Sequence, residues 1–277
     1  MTMRSRVFAT IVSATLTLVF ATTIQAQWPK YPTKRMPRRP DGSLNVTAPP
    51  PHANGKPDLS GVWLSTDTGL FFDLAKDLPA TDVVMTPWAS GVQKQREGRD
   101  HVDDPLAYCL PPGVPRIDTI NPIKIVQTPD VTVFLHELTT GSTFRQVFTD
   151  GRPIPQGVEP AWLGYAVGRW EGDTFVVESA GFRDRGWLDT RKARPHSDAL
   201  RVTERFTRLD VGRMSLRVTI DDPKTYVKPW TVSMTLKLIP DSELIEATCE
   251  GQQQHSQHYR FDPPPPEPPS PPVPSAK

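Results

Sequence analysis

Glu204 is the residue whose position most needs a chemical explanation. In LRVTERFTR (200–208), Leu200, Val202, Glu204, Phe206 and Arg208 alternate with Arg201, Thr203, Arg205 and Thr207. If the segment is a strand, the first set shares one face, and that apolar face points inward, taking Glu204 with it. An inward carboxyl is costly unless it is paired, hydrogen-bonded or protonated. Left unpaired, its pKa rises, which is the property a general acid or base uses. The structural alternative is an ion pair, with Arg145 or Arg208 as partner.

Two long connections supply further candidates. The segment GFRDRGWLDTRKARPHSDA (181–199) carries Asp184, Trp187, Asp189 and His196 in far more chain than a hairpin needs. His196 titrates near neutrality when unperturbed, and Asp189 is the residue expected to orient it. The segment TDGRPIPQGVEPAW (149–162) adds Asp150, Arg152 and Trp162, with Tyr165 just beyond. In a strict meander two strands separate these connections, so both belong at the same end. There Glu204, His196 and Asp189 would do acid/base work, Asp150 and Arg152 would polarise a substrate, and Trp162, Tyr165 and Trp187 would form an apolar wall. In VTVFLHEL (131–138), His136 and Glu137 fall on opposite faces, both apolar, so which of them turns inward stays open.

Familiar catalytic signatures are missing. The chain has no Gly-rich nucleotide loop, P-loop, GxSxG elbow or HExxH pair. His196-Ser197-Asp198 holds triad letters, but three consecutive residues cannot converge on one point. His255 and His258 stand three apart near the tail without a spacing that demands a metal, so neither metal nor cofactor is expected.

The elements that must position these residues are strands. From Ile123 onward the period is two, with expected strands at 123–128, 132–138, 144–149, 164–170, 174–181, 200–209, 213–220, 230–239 and 244–250. Turn chemistry separates them, as at Pro129-Asp130 and Glu171-Gly172-Asp173. An earlier strand is expected at 59–64, and a short helix at 86–99, capped by Thr86 with Pro87 in its first position. Short connections imply antiparallel neighbours, and open edges invite aggregation. The fold expected is therefore all-β, an antiparallel meander closing into a calycin- or lipocalin-like barrel, with a β-sandwich as the alternative.

Composition sets the frame. The 277 residues include 32 Pro and 2 Cys, and 37% are hydrophobic, a globular range. Residues 1–26 read as a signal peptide: Arg4 and Arg6, an apolar stretch from Val7, and a cut after Ala26. Residues 27–56 read as a Pro-rich basic linker, 57–261 as one barrel domain and 262–277 as a Pro-rich disordered tail. The formal charge is +1. The signal carries two Arg and no acid, and the linker sets six Lys and Arg against Asp41 alone, so the remainder sums to −6. A mildly acidic body disfavours nucleic acid as a partner. Export into an oxidising compartment, periplasmic or extracellular, makes Cys109 and Cys249 a candidate disulfide with only one possible connectivity. No membrane span is expected in the mature chain.

The blocks LPPGVPR (110–116), KIVQTPD (124–130), FRQVFTDGR (144–152), GYAVGRWEGDTFVVES (164–179), PHSDALRVTERF (195–206) and TIDDPKTYVKPWTV (219–232) together resemble an uncharacterised family of exported bacterial β-rich proteins. The resemblance implies export and a single β-rich domain; it carries no residue role. Three functions fit the sequence: a cofactor-independent lyase, isomerase or hydrolase acting on a small apolar or aromatic molecule, a lipocalin-like binding protein, and a cell-envelope interaction module.

Overall fold

The computed structural model describes residues 32–138, 143–247 and 249. The expected signal peptide, the first residues of the linker, the proline-rich tail, His255 and His258 lie outside the described residues.

The chain first makes a two-residue ladder, β1 (His52–Ala53) with β2 (Lys56–Pro57), turned by Asn54 and Gly55 at φ 53° and 76°. Both left-handed positions are what a type I′ turn requires. The barrel follows: β3 (Gly61–Ser65), β4 (Ile123–Gln127), β5 (Val131–His136), β6 (Phe144–Phe148), β7 (Tyr165–Glu171), β8 (Thr174–Ala180), β9 (Arg201–Arg208), β10 (Arg213–Asp221) and β11 (Trp230–Leu238). These strands stand in chain order around a closed ring, with β11 paired to β3.

Closure of nine strands explains the one departure from a pure antiparallel meander. An odd number of neighbours cannot alternate all the way round a ring, so one pair must run parallel. That pair is β6 and β7, joined through Val147–Ala166 and Phe148–Val167. The 149–164 connection therefore crosses the outside of the sheet, past Val167, Glu178 and Arg201, to enter β7 in the same direction as β6 instead of turning as a hairpin. Gly168, just past this seam, permits a close approach: a Cβ there would sit 2.6 Å from the Phe175 ring and 2.8 Å from Val147.

The interior follows the period-two phase. Met214, Leu216, Val218 and Ile220 of β10 point inward, as do Trp230, Val232, Met234, Leu236 and Leu238 of β11, and all nine are buried. With Trp63, Phe134, Phe175 and Phe206 they fill the middle of the barrel. Call the end where β8 runs into β9 the upper end. It is roofed by the 66–122 segment and by 181–200, which bury Leu70, Leu74, Ile117, Trp187 and Leu188 among them. The roof includes α1 (Gly69–Phe72) and α2 (Pro87–Glu97); Thr86 caps α2 by accepting the Ala89 N–H, with Pro87 in the first turn.

Residues 32–56, read as part of an extended linker, instead strap the lower end. Leu44 is buried in the core, and the Val211 and Gly212 N–H groups donate to Ala48 and Val46. Arg38 and the Thr33 N–H both donate to Asp241, each at 2.6 Å. The Arg38 hydrogen bond leads in pulling the Asp241 pKa from 3.8 down to about 2, against a smaller opposing effect of burial. A carboxyl with a depressed folded-state pKa adds stability above its unfolded value, and that stability is lost as pH falls. Asp241→Asn is therefore expected to flatten the loss of stability between pH 3.8 and about 2, read from denaturation midpoints across that window.

The strand expected at 244–250 does not form over 244–247. The barrel is already closed by β11 and β3, so no edge is free to receive another strand. The segment instead crosses outside the barrel, where the Ile245 N–H donates to Glu137, and Cys249 is disulfide-bonded to Cys109. Among the described residues no helix is long and apolar enough to cross a membrane.

Candidate functional site

The polar residues of the barrel interior gather beneath the roof. Glu204 lies midway along β9, between Val177 and Val218, and is fully buried. Arg145 projects inward from β6, Ser179 from β8 and His136 from the last position of β5, each by strand alternation. Asp118 comes from a single 3-10 turn, Arg116–Asp118, that lies directly before β4 and closes over the barrel.

Arg145 grips Glu204 bidentately, Nη1 to Oε1 at 3.0 Å and Nη2 to Oε2 at 2.5 Å, and Nη2 also donates to Ser179 at 3.2 Å. Its guanidinium sits 5.5 Å from the centre of the Phe134 ring. His136 Nε2 contacts Asp118 Oδ1 at 2.9 Å, and Asp118 Oδ2 stands 3.6 Å from Arg145 Nη1, too far for a hydrogen bond. Among the described residues, Asp118 Oδ2, His136 Nδ1 and Arg145 Nε have no hydrogen-bond partner.

Environment drives the two carboxyls apart. Burial pushes Glu204 up, against the opposing pull of Arg145, and the nearby Asp118 charge raises it further. Burial also pushes Asp118 up, but the hydrogen bond and charge of His136, with Arg145 behind them, more than reverse it and hold it below the usual carboxylate range. The two carboxyls interact directly, so their titrations are coupled: Glu204 is shifted towards its protonated form and Asp118 towards its ionised form. The cluster can thus donate from Glu204 and accept at Asp118, the division of labour found where paired carboxyls do acid/base work.

The other expected site residues are scattered. His196 is buried in the roof, its Nδ1 3.1 Å from the Ser197 carbonyl, and burial lowers its pKa. Asp189 does not orient it. Its oxygens accept from the Leu74 and Arg194 N–H groups and from the Arg194 side chain, and burial nonetheless raises its pKa. Its work is to pin 189–194 onto the chain after α1. Trp187 is buried under the Arg96 guanidinium, 5.1 Å away, and lines no mouth.

The remaining four lie along the parallel seam. Asp150 and Arg152 follow Thr149, which bonds to the turn between β4 and β5, and pair with each other on the surface, Nε to Oδ1 at 2.9 Å. Arg152 stacks on Phe148 at 4.1 Å, and Phe148 stacks on Tyr165 at 5.2 Å, all outside the barrel. Trp162 and Tyr165 arrive at the upper end, where Ala161 bridges to Phe182 and Tyr165 pairs with Ala180. The two long connections do meet: Ile154–Val158 lie beside Ala180, Gly181 and Leu200, on the outside of the barrel.

Sequence reasoning had Arg145 only as a possible partner for Glu204. Arg208, the other possible partner, points to the lower end, stacks on Trp63 at 4.9 Å and donates to the Asp210 and Val211 carbonyls. His136 was one of two open choices; the structure turns it inward and sends Glu137 out. Asp118 was missed, because a one-turn element in a proline-rich loop has no periodicity to read.

The fold and this cluster define a closed β-barrel with a fully buried ion-pair network under its roof. No protein-family model, curated protein or solved structure matches the chain. Among the described residues no group of three or more His, Cys, Asp or Glu is placed to hold a metal ion.

Proposed function

We propose that this chain is an exported, cofactor-independent acid/base enzyme, a lyase, isomerase or hydrolase of a small apolar or aromatic molecule. Its chemistry centres on Glu204, Asp118, His136 and Arg145. One observation carries the reading: two carboxyls, an imidazole and a guanidinium are buried together with three polar atoms left without a partner among the described residues. Stability does not call for this arrangement, since apolar residues of similar volume are often as stable in place of a buried ion pair. In the proposed cycle Glu204 delivers the proton, Asp118 accepts one with His136 steadying its charge, and Arg145 holds both carboxyls in register beside the Phe134 ring.

The test is Glu204→Gln, which keeps shape and hydrogen-bonding while removing the proton donor. On a substrate found by screening small molecules for product formation, turnover is expected to drop by roughly 10²- to 10⁴-fold with the fold intact. Wild-type turnover by this variant rules the assignment out. An infrared band of a protonated carboxylic acid that persists above the pH at which an exposed glutamate ionises, and is lost in the same variant, is the expected signature that needs no substrate.

A second reading, binding without turnover, draws on a cleft of about 590 Å³ on the outside of the barrel, lined by Ile154, Pro155, Val158, Leu200 and Arg201. An unchanged small molecule recovered with the purified protein, and still unchanged after long incubation, favours it.

A further inference from the structure

The outward face of β9, β10 and β11 is chemically unlike the rest of the body. Strand register sets its side chains in rows. Arg205 faces Arg217, Arg213 faces Lys237, Thr203 and Thr231 flank Thr219, and Thr207 and Thr235 flank Ser215. Cationic rows thus alternate with hydroxyl rows. Along one strand, cations four residues apart recur at about 13 Å, with a hydroxyl midway. Arg213, Arg217 and Lys237 are exposed. The acid on the outward side of these three strands is Asp221, at the upper end opposite Arg201. This basic face stands on a body whose formal charge is −6 in total.

The face has an internal cost. Like charges directly opposite in a sheet are destabilising. Arg205 is relieved by Glu171 at 2.6 Å and Arg213 by Asp210 at 2.7 Å, but Arg217 has no ion pair among the described residues, and its fork is the open one. The hydroxyl rows are ordered: Thr219 and Thr231 are 2.9 Å apart through their Oγ1 atoms, as are Thr174 and Thr207. No large apolar side chain projects from these three strands' outward positions, so the face offers a lipid nothing to insert.

We propose that this face binds an acidic polysaccharide, a chain of uronate-type sugars. Its carboxylates pair with the arginine forks, and its ring hydroxyls exchange hydrogen bonds with the Thr and Ser rows. Charge complementarity supplies attraction, and the hydroxyl rows supply preference for a sugar over other polyanions. This site is separate from the buried network and independent of the acid/base reading.

The test uses the full mature chain and polygalacturonate, by affinity electrophoresis and calorimetry, with dextran, polyphosphate and phosphatidylglycerol vesicles as comparators. Binding to polygalacturonate at low salt, and none to dextran, is expected. Arg217→Ser combined with Lys237→Ser is expected to weaken it at least about tenfold and to reduce the salt slope by about one per cation removed. Thr219→Val with Thr231→Val is expected to weaken polygalacturonate but not polyphosphate, with unfolding midpoints confirming that both variants fold. The proposal is overturned if polygalacturonate does not bind, if either double variant binds it like wild type, or if polyphosphate or vesicles bind as tightly.

Discussion

Arg145→Leu is expected to cost about 3–5 kcal/mol of folding stability, because it strips the countercharge from two buried carboxyls at once. For a domain of this size that is a fall of roughly 6–20 °C in unfolding midpoint. Glu204 and Asp118 are fully buried, and Arg145 is the guanidinium that contacts both. Without it, Asp118 keeps His136, while Glu204 keeps only its neutral neighbours and its own proton. The loss should therefore grow with pH, since a carboxyl that must stay protonated in the folded state is penalised as the unfolded state ionises. The double variant Arg145→Leu with Glu204→Leu separates countercharge from packing. It removes both partners of the bidentate pair and is expected to recover much of the loss. If the double variant is as unstable as the single, the network is not held by this pair. Denaturant midpoints across pH 5–8 measure both effects.

Removing the Cys109–Cys249 bridge, by reduction or by Cys→Ser at both positions, is the second large effect. The bridge spans 140 residues and ties the chain beyond β11 to the roof segment between β3 and β4. Closing a loop of that length in the unfolded chain corresponds to roughly 5 kcal/mol in the chain-entropy model, and native bridges typically prove worth about 2–5 kcal/mol. The barrel ladder closes through β3 and β11 without help from the bridge. The variant should accordingly retain its β-sheet signal and unfold cooperatively at a lower midpoint. Loss of the sheet signal under native conditions would show that the barrel depends on the tether. Partial proteolysis should then cut first near 240–249, where the chain loses its anchor.

Much of the fold was legible because a strand's phase is local. Adjacent residues alone place Glu204 on the same side as Val202 and Phe206, and the all-apolar phases of β10 and β11 leave no ambiguity about their inner faces. The same logic misleads where both faces are apolar. On 131–138 it leaves His136 and Glu137 open, and on β6 the structure leaves Phe144 49% exposed while Arg145 is buried. The Asn54-Gly55 turn was readable as a hairpin and was absorbed into a linker because its strands are only two residues long.

By itself, then, the sequence determined the all-β class, the positions of the barrel strands, the inward carboxyl and the single possible cysteine pairing. Each of these follows from neighbours along the chain or from counting. The tertiary structure decided that nine strands close, that β6 and β7 therefore run parallel, and that Asp150, Arg152 and Tyr165 lie on the outside of the sheet. It also chose Arg145 over Arg208 and brought Asp118 and His136 to Glu204. The reason is that ring closure and burial are properties of the whole chain: a carboxyl's partner is whichever cation the completed barrel leaves within reach.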